Sequence, residues 1–190
     1  MYAIVESGSI TKTFNNPRKL VVNDIRYSTK IYSLWSDAEK KAIGLYEVEY
    51  DNTNKKDENW YINTDETLTY DASSDKVVAS YGTATARAID DDGDFKGLKT
   101  VKKEIIEEQC NNILSISDWR VIKAKETGST LNVGWKTWRA SVRTKCNSMQ
   151  DQIDGASDVD ALATLFTYTN TGTEENPVYA RPLGEFPTKE

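Results

Sequence analysis

Residues 135–153 read WKTWRASVRTKCNSMQDQI, the most strongly patterned stretch of the chain. Its apolar members Trp135, Trp138, Val142, Cys146, Met149 and Ile153 step by three and four. At about 100° per residue they fall within one narrow arc, so the spacing predicts a helix with one buried face. Lys136, Arg139 and Arg143 form a basic stripe beside that face. With Lys145 they make residues 135–149 basic, with no acid among them. Gly155 marks the expected end of the helix.

A second apolar face lies upstream. Leu98, Val101, Ile105, Ile106 and Ile113 share a broad side of a helix expected to run to about Leu114. Ser117-Asp118 offers a cap or turn, residues 120–126 read as a connector, and residues 128–132 as a loop. Val159, Leu162, Leu165 and Phe166 suggest a short further helix capped near Ser157 or Asp158. Two long amphipathic helices joined by a short segment predict an antiparallel helical hairpin over residues 98–166.

The first 89 residues have a different rhythm. Tyr2–Val5 and Ile10–Phe14 flank Glu6-Ser7-Gly8-Ser9, and Leu20–Val22 and Ile25–Tyr27 flank Asn23-Asp24; both read as hairpins. Ser36 with Glu39 has capping-box spacing for a short helix that Gly44 can close. Tyr46–Tyr50, Trp60–Asn63, Leu68–Tyr70 and Val77–Tyr81 are rich in β-branched and aromatic residues and read as strands. The expectation is an α+β protein: a small N-terminal antiparallel β domain with one short helix over residues 1–89, an acidic linker over 90–97, the helical hairpin over 98–166, and an extended arm over 167–190. Three of the four prolines, Pro177, Pro182 and Pro187, lie in that arm and exclude a helix or central strand there. Val178, Tyr179, Leu183 and Phe186 between them read as anchors. Deleting residues 172–190 is expected to leave the fold intact and weaken partner binding.

Composition narrows the function. The 190 residues carry a net charge of −6, which disfavours nucleic acid as a partner. No segment approaches the ~20 apolar residues that span a bilayer, and the N-terminus does not read as a signal peptide, so no membrane partner is expected. The expected location is a cytoplasm, with assembly into an extracellular particle open. There is no His, which removes Ser-His and Cys-His nucleophile pairs. Cys110 and Cys146 are the only cysteines, too few for a zinc site or disulfide scaffold, and read as buried thiols. Phosphate-binding glycine loops are absent. The cluster Asp90-Asp91-Asp92-Gly93-Asp94 departs from a calcium loop, since Val101 stands where the twelfth-position Glu belongs. It reads as a solvated linker, with a weak cation site as the alternative. No catalytic residue, metal-ligand set or cofactor is assigned.

Trp135 and Trp138 have two readings: core of the hairpin, or a hot spot for a partner protein. The stripe of Arg139 and Arg143 is either a solvated edge or a contact for an acidic partner.

Three stretches carry a family resemblance. The first is Tyr2-Ala3-Ile4-Val5-Glu6 followed by Ile10-Thr11. The second is Leu34-Trp35-Ser36 leading to Ile43-Gly44-Leu45-Tyr46. The third is Ile113-Leu114 and Ser117-Asp118-Trp119, followed by Trp138-Arg139 and Val142-Arg143. Their order and spacing resemble the tail-fibre assembly and tail-assembly-chaperone-like proteins of tailed bacteriophages, marine phages included. Trp138 stands where that pattern usually has Tyr, and the proline-rich arm is longer than a transient helper needs. The resemblance implies a non-enzymatic tail protein that binds other phage tail or fibre proteins, as a homo-oligomer or part of a larger assembly, in the host cytoplasm during assembly. Trp135, Trp138, Arg139, Arg143, Val178, Tyr179, Leu183 and Phe186 are the expected contact residues. The alternatives are a permanent virion subunit of the tail, fibre attachment or collar, and a host-receptor-binding module.

Overall fold

The computed structural model describes residues 1–189. The chain is α+β and divides into two units, residues 1–85 and 86–190.

In the first unit, β1 (Tyr2–Glu6) and β2 (Ser9–Phe14) form a hairpin whose turn places Ser7 and Gly8 at positive φ. Strands β3 (Leu20–Val22) and β4 (Ile25–Tyr27) form a second hairpin, with Asn23 and Asp24 both left-handed at its turn. Asn and Asp tolerate that region best after Gly. After a single-turn helix α1 (Ile31–Leu34) comes α2 (Asp37–Ala42). Ser36 Oγ accepts the Glu39 amide, and the Glu39 carboxylate accepts the Ser36 amide at 2.8 Å, a complete capping box. Gly44 leaves α2 at φ +76°, pressed so close to the Val5 carbonyl that a Cβ would collide with it. Only glycine meets both demands.

β5 (Leu45–Asp51), β7 (Thr67–Asp71) and β8 (Lys76–Ser80) complete a five-stranded sheet in the order β2-β1-β5-β8-β7. The short strands β6 (Tyr61–Ile62) and β9 (Thr85–Ala86) lie outside it. The expectation of an antiparallel domain needs correction here. β5 and β8 run parallel, with Val48 opposite Val77 and Tyr50 opposite Ala79. The reason is burial. Val77 and Ala79 are buried and belong on an inner strand, whereas Leu68 and Tyr70 of β7 are half-buried and suit the edge. The chain between Asp51 and Lys76 therefore places β7 outside first, and β8 returns beside β5, as parallel pairing requires a long crossover.

Alternation along the strands gives the sheet two apolar faces. Ile4, Phe14 and Leu45 pack with Leu20, Val22 and Ile31, covered by an aromatic group in which Tyr2 meets Tyr32 edge-on at 4.8 Å between centroids. Ala3, Tyr46, Val48, Val77 and Ala79 line the other face. Tyr46 and Tyr70 donate their hydroxyls to Asp75 Oδ1 at 2.7 and 2.9 Å, tying the β7–β8 turn to β5.

The second unit is helical, with α3 (Leu98–Ser115), α4 (Asp118–Glu126), α5 (Val133–Asp154) and α6 (Val159–Phe166). The two long helices expected to pair, α3 and α5, pack on each other, and the correction concerns the segment between them: the expected connector is the helix α4. In α5, Trp138, Val142, Cys146, Met149 and Ile153 are buried and Trp135 is half-buried. In α3 the buried pair is Ile106 and Cys110; Val101 and Ile105 are exposed. Asp158 caps α6 by accepting the Ala161 amide at 2.8 Å.

Two further expectations change. The acidic stretch is a fastening for α3 and not a free linker. Asp91 accepts the Gly97 amide at 2.7 Å and the Thr100 hydroxyl at 3.0 Å, and Asp90 pairs with Lys99 at 3.1 Å. The Gly97 amide first, then the Thr100 hydroxyl, hold the carboxylate of Asp91 below its ordinary pKa. The arm is not extended throughout. It carries a two-residue ribbon, β10 (Thr169–Asn170) with β11 (Tyr179–Ala180), and then returns to the helices. Leu183 is fully buried, its amide donates to the Leu165 carbonyl at 3.1 Å, and Lys145 donates to the Leu183 carbonyl at 2.7 Å.

Candidate protein-contact surface

The residues expected to contact partners divide into two groups. Trp138, Arg139 and Leu183 are consumed by the fold of their own unit. Trp138 is buried and donates its indole N–H to the Pro187 carbonyl. Arg139, also largely buried, donates to the Leu114 carbonyl at 2.7 Å and to Ser117 Oγ at 2.6 Å, and pairs with Asp118 at 2.8 Å. A guanidinium has five donors in one plane, and three are used here to close the end of α3 against the start of α4. These three side chains are corrected from partner contacts to internal braces. Their apolar bulk or hydrogen-bonding reach satisfies a buried neighbour first.

Trp135 is half-buried, Arg143 is exposed, and Phe186 is half-buried. Val178 and Tyr179 sit on the β10–β11 ribbon, exposed to 58% and 66%. Arg143 lines a shallow groove between α3 and α5 with Glu107, Cys110, Leu114, Cys146 and Gln150. Burial pushes the Cys146 thiol up to about 11, and its hydrogen bond with Cys110 adds to that. Such a thiol is a packing group and a poor nucleophile.

A run of exposed apolar residues lies where a connector was expected. Helix α4 buries none of its residues. Ile116, which ends α3, is 67% exposed, and Trp119 and Ile122 are 53% and 56% exposed. At i, i+3 and i+6 these three share one side of the helical path. The signal was present in the sequence as that spacing, but Arg120, Lys123 and Lys125 interrupt it.

Trp119 leads into an aromatic ladder. The Arg120 guanidinium lies 4.4 Å from the Trp119 ring centroid and 4.5 Å from that of Trp135. Trp135 in turn meets Trp138 edge-on, with centroids 5.5 Å apart and planes at 87°. Lys189 approaches Trp135 at 5.4 Å. Cation–aromatic stacking of this kind orders side chains that would otherwise be mobile.

Among the described residues no group of three or more Cys, Asp or Glu side chains is placed to hold a metal ion, and no helix is long and apolar enough to cross a membrane. The cleft beside α2 and β5 collects Asp37, Lys40, Lys41, Glu47, Glu49 and Lys76, and its charges pair with each other: Lys40 with Asp37 at 3.2 Å, Lys76 with Glu49 at 2.8 Å. The chain matches no family model, no curated protein and no solved structure.

Proposed function

We propose that the chain is a tail-fibre assembly or tail-associated protein of a tailed bacteriophage, acting by protein–protein contact and not as an enzyme. The order of the three sequence stretches that resemble the tail-fibre assembly proteins motivates the class. The observation that carries the mode of action is the exposed apolar set at α4, a helix with no buried residue that presents Trp119 and Ile122 to solvent, with Ile116 exposed just before it. Large apolar side chains contiguous on one helix are costly to leave wet and mark a protein-binding face. A seven-residue span, 116–122, bearing two Ile and one Trp has the aromatic and aliphatic content of an interface centre.

A second reading, a permanent virion subunit, is favoured by the β10–β11 ribbon. Val178 and Tyr179 on a projecting two-stranded turn suit insertion into a neighbouring subunit. The receptor-binding alternative draws on exposed aromatics in the first unit. Tyr61 is buried and Trp60 half-buried, which gives that alternative less to work with.

Co-expression with the fibre protein of the same phage tests the proposal. The expected result is a complex that survives size-exclusion chromatography and is lost in a Trp119→Ala/Ile122→Ala variant. A chain that elutes alone in the presence of fibre protein overturns it. Protein analysis of purified particles then separates the two readings: stoichiometric presence defines a virion subunit, absence defines a helper.

A further inference from the structure

We infer that the cleft between α4 and the start of α5 binds an acidic segment of a partner protein, seating one apolar side chain of that segment against Trp119 and Trp135. The inference rests on the reading of the chain as a protein-contact module and names the chemistry of the partner.

Size decides the kind of occupant. The cleft holds about 170 Å³ and is lined by Trp119, Arg120, Lys123, Leu131 and Trp135 among others. Small-molecule sites run from roughly 300 to 1,000 Å³, so this one suits a single side chain and not a whole ligand. Its floor is ordered in advance. The Arg120 guanidinium approaches both Trp119 and Trp135, Trp135 meets Trp138 edge-on, and Trp138 is tied through its indole N–H to Pro187. Little side-chain freedom remains to be lost on binding, which is where rigid aromatic sites gain affinity.

Charge decides the chemistry of the occupant. The charged residues lining the cleft are Arg120 and Lys123, with no acid among its lining, in a chain whose net charge is −6. Asp118, the nearest acid before them, is engaged by Arg139. The Arg120 guanidinium, held within 4.5 Å of both ring centroids, is a planar fork of N–H donors that matches a carboxylate. A basic rim around an aromatic floor is complementary to an acidic peptide bearing an apolar anchor. Single-stranded nucleic acid also stacks on aromatics beside cations. One feature favours the peptide: Ile116 and Ile122, three residues either side of Trp119, are exposed aliphatic groups that suit apolar side chains and offer nothing to a base or phosphate.

The test uses the full chain and a dye-labelled, Glu-rich peptide with a central Leu-Phe pair, read by fluorescence polarisation. Comparators are the same peptide with Ala replacing the Leu-Phe pair, the same peptide with Lys replacing Glu, and an oligothymidine of equal length. The Glu-rich peptide is expected to bind best, to weaken with added salt, and to lose about tenfold or more in affinity in both Trp119→Ala and Arg120→Ala. Trp119 is half in solvent on a helix with no buried residue, so its removal leaves the fold in place, and circular dichroism verifies this. Arg120→Lys keeps the charge, loses the planar fork, and is expected to fall between wild type and Arg120→Ala. Equal binding of the Glu-rich and Lys-rich peptides, tighter binding of oligothymidine, or affinities unchanged by both substitutions overturns the inference. Absence of peptide binding alongside intact co-purification with the fibre protein overturns this cleft and leaves the proposed function standing. Peptide binding without fibre co-purification does the reverse.

Discussion

Trp138 on α5 donates its indole Nε1–H to the backbone carbonyl of Pro187 across 2.9 Å. The end of the chain is therefore fastened to the most strongly patterned helix of the protein. Leu183, four residues earlier and fully buried, is the apolar plug of the same fastening. Removing residues 182–190 is expected to lower the urea midpoint of unfolding sharply. Leu183→Ala alone should cost about 2–5 kcal/mol, the range for a large buried aliphatic. Removing the exposed Val178 and Tyr179 side chains should cost little. Equal stability of the intact and truncated chains would return the arm to a free role.

Arg139 braces the α3–α4 corner through the Leu114 carbonyl, Ser117 Oγ and Asp118. Arg139→Met removes donors from the fully buried Ser117 and from the carbonyl, and should destabilise by about 2 kcal/mol or more. Asp118→Asn, at a half-exposed carboxylate, should cost under about 1 kcal/mol. A double-mutant cycle by chemical denaturation separates the ion pair from the two neutral acceptors.

Acid sensitivity of the first unit is expected to centre on the β7–β8 turn. The Tyr46 hydroxyl first, then that of Tyr70, donates to Asp75, and Lys41 adds to them, so its carboxyl sits below the ordinary 3.8. Asp71, accepting from Ser74 and Ser73, is held down to about 2. A carboxyl depressed in the folded state contributes stability above its unfolded pKa and loses it as pH falls through the folded one. Stability should thus be level above pH 3.8 and fall below it towards pH 2. Asp75→Asn should flatten that fall while lowering the plateau, as followed by urea midpoints across pH.

Cys110 and Cys146 meet inside the α3–α5 contact, where burial, their mutual hydrogen bond and Glu107 raise the Cys146 thiol to about 11. In the native protein at neutral pH, both thiols should resist an aromatic disulfide reagent, and in denaturant both should react at once. Rapid labelling of the native chain would show that the α3–α5 seam opens.

The parts of the fold legible in the sequence are those where one local rule suffices. The arc from Trp138 to Ile153 predicts the buried face of α5, and Ser36 with Glu39 predicts the start of α2. Asn23-Asp24 predicts the tight turn between β3 and β4. What stayed illegible depends on partners distant in sequence. The parallel β5–β8 pair follows from which strand needs two neighbours, a property of the whole sheet. On α3 the apolar residues cover a broad face, and only packing against α5 selects Ile106 and Cys110 over Val101 and Ile105. The candidate surface was half legible. Trp135 was found from its helical spacing, but Trp119 entered only through the family resemblance and Arg120 as part of a connector, because neither sits in a periodic apolar run. Trp138, Arg139 and Leu183 attract notice as large or charged groups, and residue type alone cannot tell an internal brace from an external contact.

For the proposed tail role the most direct measurement is deletion of the gene from a phage genome that encodes it, followed by electron microscopy and protein analysis of the particles released. The account predicts tails that lack fibres or bear them incompletely, restored by the wild-type chain and not by a Trp119→Ala/Ile122→Ala variant. Fully fibred, infectious particles made without the protein would contradict it.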